Sequence, residues 1–279
     1  MIKFEGMGRH LRRNRRGGIG AVLLVTLILA AVFAPWLAPH GTDEFFPGIM
    51  ATPGSEGHPL GTDSVGRDLL TRLLHGARVS LAVGLLSTVL AGVIGVAVGA
   101  TAGYLGGAVD RALMVIVDVF LSFPAVLLAI ALVAFMGPGL RSVILALAAV
   151  GWTDYARVVR AEVLSLRERE FVASARAAGA GDMRVIVRHL LPHLAGPVTV
   201  IASFGLAAAV LSEAALSFLG LGVQAPTPSW GSMLADGRTF LRVAPHLTWI
   251  PGAAITLAVL GFNLLGDGLR DFLDPRSRS

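Results

Sequence analysis

The sequence predicts an all-α polytopic membrane protein with six transmembrane helices and both chain ends on one, cytoplasmic side. Three observations carry this expectation. Hydrophobic residues make up 54% of the 279 and charged residues 15%, against about 25% charged in soluble domains, and the mean hydropathy is +0.73. The apolar residues gather into six runs, most of them near the ~20 residues that cross a ~30 Å hydrocarbon core. Of the 23 Lys and Arg residues, 17 fall on the side that holds the N-terminus and six on the other, the asymmetry that marks cytoplasmic segments. This basicity flanks apolar spans, so it argues for membrane topology and against nucleic acid as a partner.

The first span is expected at about Gly18–Leu37, behind a tail carrying Lys3, Arg9, Arg12, Arg13, Arg15 and Arg16. Its apolar run is longer than a signal-peptide core, and Pro35 and Trp36 occupy positions where a cleavage site wants small residues, so it reads as a retained anchor. The segment 38–78 is turn-rich and then helical. Thr62, Asp63 or Ser64 is expected to cap a short helix whose buried side is Leu69, Leu70, Leu73 and Leu74. The remaining spans are expected at Val79–Gly103, Ala112–Phe135, Leu140–Tyr155, Ala195–Leu219 and Leu247–Gly266. The fourth is the weakest, because Arg141 and Asp154 trim its uncharged run.

Gly92, Gly95, Gly99 and Gly103 repeat at small-xxx-small spacing, which predicts close helix packing within the chain or against a second one. Gly137, Gly139, Gly220 and Gly222 lie at span ends and read as turns. Pro124 and Pro251 are candidate kinks.

Between the fourth and fifth spans stands a polar, Arg-rich block, 157–192. Ser165 and Glu168 have capping-box spacing, predicting a helix to Ala178 with Phe171, Ala175 and Ala178 on one face. Gly179-Ala180-Gly181 breaks it. Asp182 is expected to cap a second helix with an apolar stripe of Met183, Ile186, Val187 and Leu190. Such a helix–elbow–helix unit suits either a groove on a partner protein or the surface of the bilayer.

Candidate chemistry is sparse. Cysteine is absent, which removes thiolate nucleophiles and thiolate metal sites. No Walker-type phosphate loop or nucleophile elbow occurs, so no catalytic residues are assigned. His189 and His193 have the i, i+4 spacing of a chelating pair, but no third ligand is evident nearby and no metal site is expected. Asp118 and Glu213 fall inside expected spans, where a carboxylate is costly and marks either a functional site or a hydrogen bond to a neighbouring helix.

The block Glu170–Pro192 resembles the cytoplasmic loop of permease subunits of ATP-binding-cassette importers, which reads Glu-Ala-Ala, three residues, Gly, and later an Ile-x-Leu-Pro end. Counting back from Gly179, those first positions are Ala173, Ser174 and Ala175, so the family's glutamate is alanine here. The Ile position is His189, while Leu191 and Pro192 agree. The string Gly61-Thr62-Asp63 to Gly66-Arg67-Asp68, with Trp152, Tyr155-Ala156-Arg157 and Glu213 to Gly220, looks like the second permease of dipeptide/oligopeptide importers. The resemblance implies two regions: residues 1–78, with the basic tail, first span and external loop, and residues 79–279, a five-helix permease core. It implies ATPase coupling through Ala173, Ser174, Ala175, Ala178, Gly179, Ala180, Gly181 and Asp182. It also implies a second homologous permease, two ATPase subunits that bind ATP and Mg in place of this chain, and an extracytoplasmic binding protein, all at a prokaryotic plasma membrane. A different class, an ion-coupled secondary transporter using Asp118 and Glu213, is the competing expectation.

Overall fold

The computed structural model describes residues 15–273. The basic positions Lys3, Arg9, Arg12, Arg13, Arg276 and Arg278 lie outside them. Apart from the turn-rich segment 38–68 and short connections, the described residues are helical, with no strand and only two isolated β-bridges in that segment. In chain order the helices are α1 (Arg15–Val32), α2 (Ala34–Leu37), α3 (Leu69–Leu105), α4 (Gly107–Leu121), α5 (Ala125–Met136), α6 (Leu140–Leu166), α7 (Glu170–Ala177), α8 (Asp182–Arg184), α9 (Leu191–Phe218), α10 (Trp230–Gly237) and α11 (His246–Leu273). A π-helical turn, Val185–Leu190, joins α8 to α9, and a short 3₁₀ turn, Arg238–Phe240, follows α10.

Five helical stretches among the described residues are long and apolar enough to cross a membrane, and a sixth if the bent pair α4–α5 counts as one span. The third span is therefore not the continuous helix expected from the sequence. It breaks over Ser122–Pro124 and turns by 87°. Proline disfavours helical backbone at the residue before it, here Phe123, and Pro124 takes the N-cap position of α5. Pro251 behaves differently and stays inside α11.

The second span starts ten residues earlier than expected. Asp68, not Thr62, Asp63 or Ser64, caps the helix by accepting the Thr71 N–H at 2.7 Å, and α3 runs unbroken for 37 residues. Thr62 and Asp63 instead fold the preceding segment. Asp63 accepts the backbone N–H groups of Val65 and Arg67 and the Arg67 Nε at 2.7 Å, with Arg72 Nε 3.4 Å away. Gly61 and Gly66 have positive φ and lie so close to the Ala51 and Phe46 carbonyls that a Cβ would collide with them.

The glycine ladder of α3 packs within the chain, against α6. A Cβ on Gly95 or Gly99 would collide with the backbone of Trp152 or Ala156, and one on Gly103 would come within 2.9 Å of the Val163 Cβ. Interlocking small residues let two membrane helices approach where no hydrophobic effect drives them together. A second seam joins α1, α9 and α11 through Leu24, Ala207, Val210, Ala258 and Phe262.

Candidate functional site

Helix α6 ends at Leu166 and the chain turns at once into α7, so Ser165 closes one helix and does not cap the next. The α7 C-terminus is a Schellman motif: the Ala180 N–H donates to the Ala175 carbonyl at 3.0 Å and the Gly179 N–H to the Arg176 carbonyl at 2.9 Å. That motif needs a left-handed residue, and Gly179 supplies it with φ +82° and open space around it. The expected elbow is present. Asp182 does not cap the second helix. Gly181 holds the N-cap position, and the Asp182 carboxylate accepts the Tyr104 hydroxyl at 2.8 Å. Arg176 lies over the Tyr104 ring, 4.9 Å from its centre, and Arg167 donates to the Gly103 carbonyl at 2.9 Å. The elbow is thus clipped to the end of α3.

Beneath it, Val172, Val185, Leu190 and Leu194 are buried against Ala100, Val159 and Val163. The stripe expected from the sequence is divided between two faces: Ile186 and Leu190 face inward, while Met183 is 72% and Val187 52% exposed. The π turn widens the helix, so that Val185 and Leu190, five apart, share the inner face. Of the other expected face, Phe171 and Ala175 are half-buried and Ala178 is exposed. Ala173, Ser174, Ala178, Gly179, Gly181 and Asp182 all lie exposed, and Ala180 is half-buried. The second helix does not stop at Pro192: α8, the π turn and α9 form one 37-residue stretch, Asp182–Phe218. The elbow is therefore continuous with a membrane-crossing helix, without an intervening loop.

The two carboxylates singled out from the sequence have separate fates. Glu213 is fully buried and accepts hydrogen bonds from Ser80 (3.0 Å) and Ser217 (2.7 Å). Ser80 Oγ also accepts the Trp230 N–H, and Trp230 Nε1 donates to the Leu73 carbonyl. Glu213 thus ties α9 to α3 and α10. Asp118 is exposed and paired with Arg157 at 2.7 Å, linking α4 to α6. The structure does not bring Asp118 and Glu213 together into one ion site. His189 and His193 do not form a chelate either, since His193 Nδ1 faces the His189 carbonyl and its ring stacks on Phe171.

A cavity of about 400 Å³ lies between α3, the broken pair α4–α5, α6 and α9. Phe123 from the break, Thr88, Asp154, Tyr155 and Ser212 line it. Among the described residues, the buried Thr88 Oγ1 and Tyr155 Oη have no hydrogen-bond partner. Neither Asp118 nor Glu213 is on its wall. The sequence signal for Asp154 was present, a carboxylate interrupting the fourth span, but it served there only to weaken that span.

Residues 95–279 match the family described as binding-protein-dependent transport system inner membrane component. The chain belongs to this permease family. Residues 4–53 match the N-terminal TM domain of oligopeptide transport permease C. The permease is 44% identical over 271 residues to the dipeptide transport system permease protein DppC of Alkalihalophilus pseudofirmus, covering 97% of this chain and 89% of that one. It is 47% identical to a putative peptide transport system permease protein of Brucella abortus, over 96% and 90% of the two chains. It is 44% identical to the glutathione transport system permease protein GsiD of Escherichia coli, over 96% and 89%. Inward facing structures of the MetNI methionine ABC transporter share the fold, with a TM-score of 0.59 at 22% identity over 72% of this chain and 96% of that chain. The permease is a multi-pass inner-membrane transport component, and neither the family nor the two separated carboxylates support the ion-coupled reading.

Proposed function

We propose that this permease is the transmembrane subunit of an ATP-driven importer of di- or oligopeptides, built from residues 1–78, with the basic tail, first transmembrane helix and external loop, and residues 79–279, a permease core of five transmembrane helices. It pairs with a second homologous permease, receives substrate from an extracytoplasmic binding protein, and is driven by two ATPases that bind ATP and Mg. Relatives whose names specify dipeptide and glutathione transport support the substrate class. The observation that carries the coupling role is the exposed elbow Ala173–Asp182, anchored from below and continuous with α9. Exposed small residues around a rigid glycine turn leave room for a partner's groove, and Met183 and Val187 supply apolar contact beside it. The 400 Å³ cavity beside the α4–α5 break is the pathway candidate, with Asp154 and the two orphan hydroxyls as polar groups for a peptide backbone or its ammonium end.

The test is peptide uptake and ATPase co-purification for Gly179→Arg in the assembled transporter. The expected result is normal membrane insertion, loss of uptake and loss of co-purifying ATPase. Wild-type uptake by this variant would falsify the docking assignment.

A further inference from the structure

The segment between the first and second membrane helices carries a cluster that the transport reading does not use. One ring nitrogen of His40, one of His58 and one carboxylate oxygen of Asp68 all lie within 4.8 Å of one another. The three residues are far apart in sequence. His40 follows α2, His58 sits in the turn-rich stretch, and Asp68 is the N-cap of α3. We infer that His40, His58 and Asp68 form a binding site for a divalent metal ion of the zinc type.

The hydrogen bonds around the cluster prepare each donor atom. Asp68 spends Oδ2 on the Thr71 N–H, which leaves Oδ1 facing His58 Nδ1 at 2.9 Å. His40 Nε2 faces the Gly57 carbonyl at 3.0 Å. A carbonyl only accepts, so Nε2 carries the proton and the lone pair sits on Nδ1. That is the outer hydrogen bond by which metal-binding imidazoles are oriented. The His40 backbone N–H donates to Thr71 Oγ1, fixing the residue from its other side. Phe46 packs its ring 4.6 Å from both imidazoles and walls the cluster on one side. Asp68 is fully buried, while His40 and His58 keep side-chain exposures of 22% and 12%, so an ion can reach them from solvent.

The donor set selects the ion. Two imidazoles and a carboxylate with an open fourth position suit zinc and its borderline neighbours, whereas magnesium and calcium want oxygen donors throughout. Zinc–ligand bonds of about 2.0–2.2 Å place donor atoms roughly 3–4 Å apart, so the cluster closes by about 1 Å around the ion. The ion takes the place of the proton shared by His58 and Asp68, and His58 then carries its proton on Nε2. The Glu44 carboxylate, 4.0 Å from His40 Nδ1 and half exposed, is in reach as a fourth ligand. Occupied, the site staples two turns of the segment to the N-cap of the 37-residue helix α3.

The test uses the tag-free full-length permease purified with its partners, stripped with chelator and titrated with Zn²⁺ against a chromophoric competitor. The expected result is one Zn²⁺ per copy of this chain, with slower protease cleavage inside residues 41–57 when Zn²⁺ is present. His40→Ala and His58→Ala should each weaken this binding at least about tenfold and remove the protection, while His189→Ala/His193→Ala leaves both unchanged. Asp68→Asn keeps an acceptor for the Thr71 N–H but offers a poor ligand, so it reports on the site in a chain whose helix cap survives. Unaltered Zn²⁺ affinity in Asp68→Asn or His40→Ala, or protection that persists without these side chains, overturns the inference.

Discussion

Helix α9 and its leading turns carry polar and small residues at both ends, and the two ends treat them in opposite ways. At the leading end, Ala173, Ser174, Ala178, Gly181, Asp182 and Met183 stand in the open around Gly179. Near the trailing end, Glu213 is sealed from solvent and fully engaged by Ser80 and Ser217. The contrast separates a side chain consumed by the fold from a surface left open. A buried carboxylate with its hydrogen bonds satisfied inside the chain holds helices in register and has nothing left for a partner. The elbow is braced by the buried side chains beneath it and leaves its outer surface open, the surface proposed above for a partner.

Substituting Glu213 should have the largest effect on stability. Glu213→Ala strands the Ser80 and Ser217 hydroxyls in a cavity, and should cost about 3–5 kcal/mol. Glu213→Gln keeps the shape and one acceptor and should cost about 1–2 kcal/mol. Thermal unfolding in detergent measures both. If Glu213→Ala unfolds like wild type yet fails to transport, the scaffold assignment is wrong. The elbow should show the reverse dissociation. Gly179→Asn, which tolerates left-handed backbone, should retain uptake. Gly179→Val should abolish it by breaking the Schellman turn, at a cost of about 1–2 kcal/mol.

How far the sequence foretold this contrast depends on whether the cause is local. The apolar runs and the glycine elbow are encoded by neighbours in the chain, and both are found in the structure, although the bounds of the second span and the course of the third differ from expectation. Pro124 was a candidate kink in the sequence, but its 87° break could not be told from the unbroken course of α11 at Pro251, because membrane helices tolerate proline in both ways. The sequence pattern grouped Met183, Ile186, Val187 and Leu190 into one apolar stripe, and it could not show that a π turn splits it, with Val185 and Leu190 inward and Met183 and Val187 outward. Glu213 and Asp118 looked alike in sequence. What separates them is long-range: Ser80 lies 133 positions from Glu213, and Arg157 lies 39 from Asp118. The His40–His58–Asp68 cluster was missed for the same reason.

A finer test of the elbow concerns the two exposed apolar residues. Met183→Ser and Val187→Ser should leave the unfolding temperature nearly unchanged, since both side chains stand in the open. Each should weaken ATPase association by about 1 kcal/mol, roughly a fivefold loss of affinity. A drop in stability with unchanged ATPase binding would move these residues from the interface to the fold.

The smallest effects are expected at the clips. Tyr104→Phe removes one hydroxyl that donates to Asp182 and accepts from Arg176, a loss of about 1 kcal/mol. The ring remains to support Arg176, so the elbow should stay folded but loosen. The sensitive readout is coupling: ATP hydrolysed per peptide imported should rise while both proteins still assemble. Arg157→Gln provides the comparison. Its partner Asp118 is exposed, and surface ion pairs contribute about 0–1 kcal/mol, so neither stability nor coupling should move measurably. Tyr104 and Arg157 both carry one polar contact between helices, and only Tyr104 holds the elbow. If Arg157→Gln uncouples the transporter and Tyr104→Phe does not, force reaches the core through α4 and α6, and the continuity of the elbow with α9 is incidental.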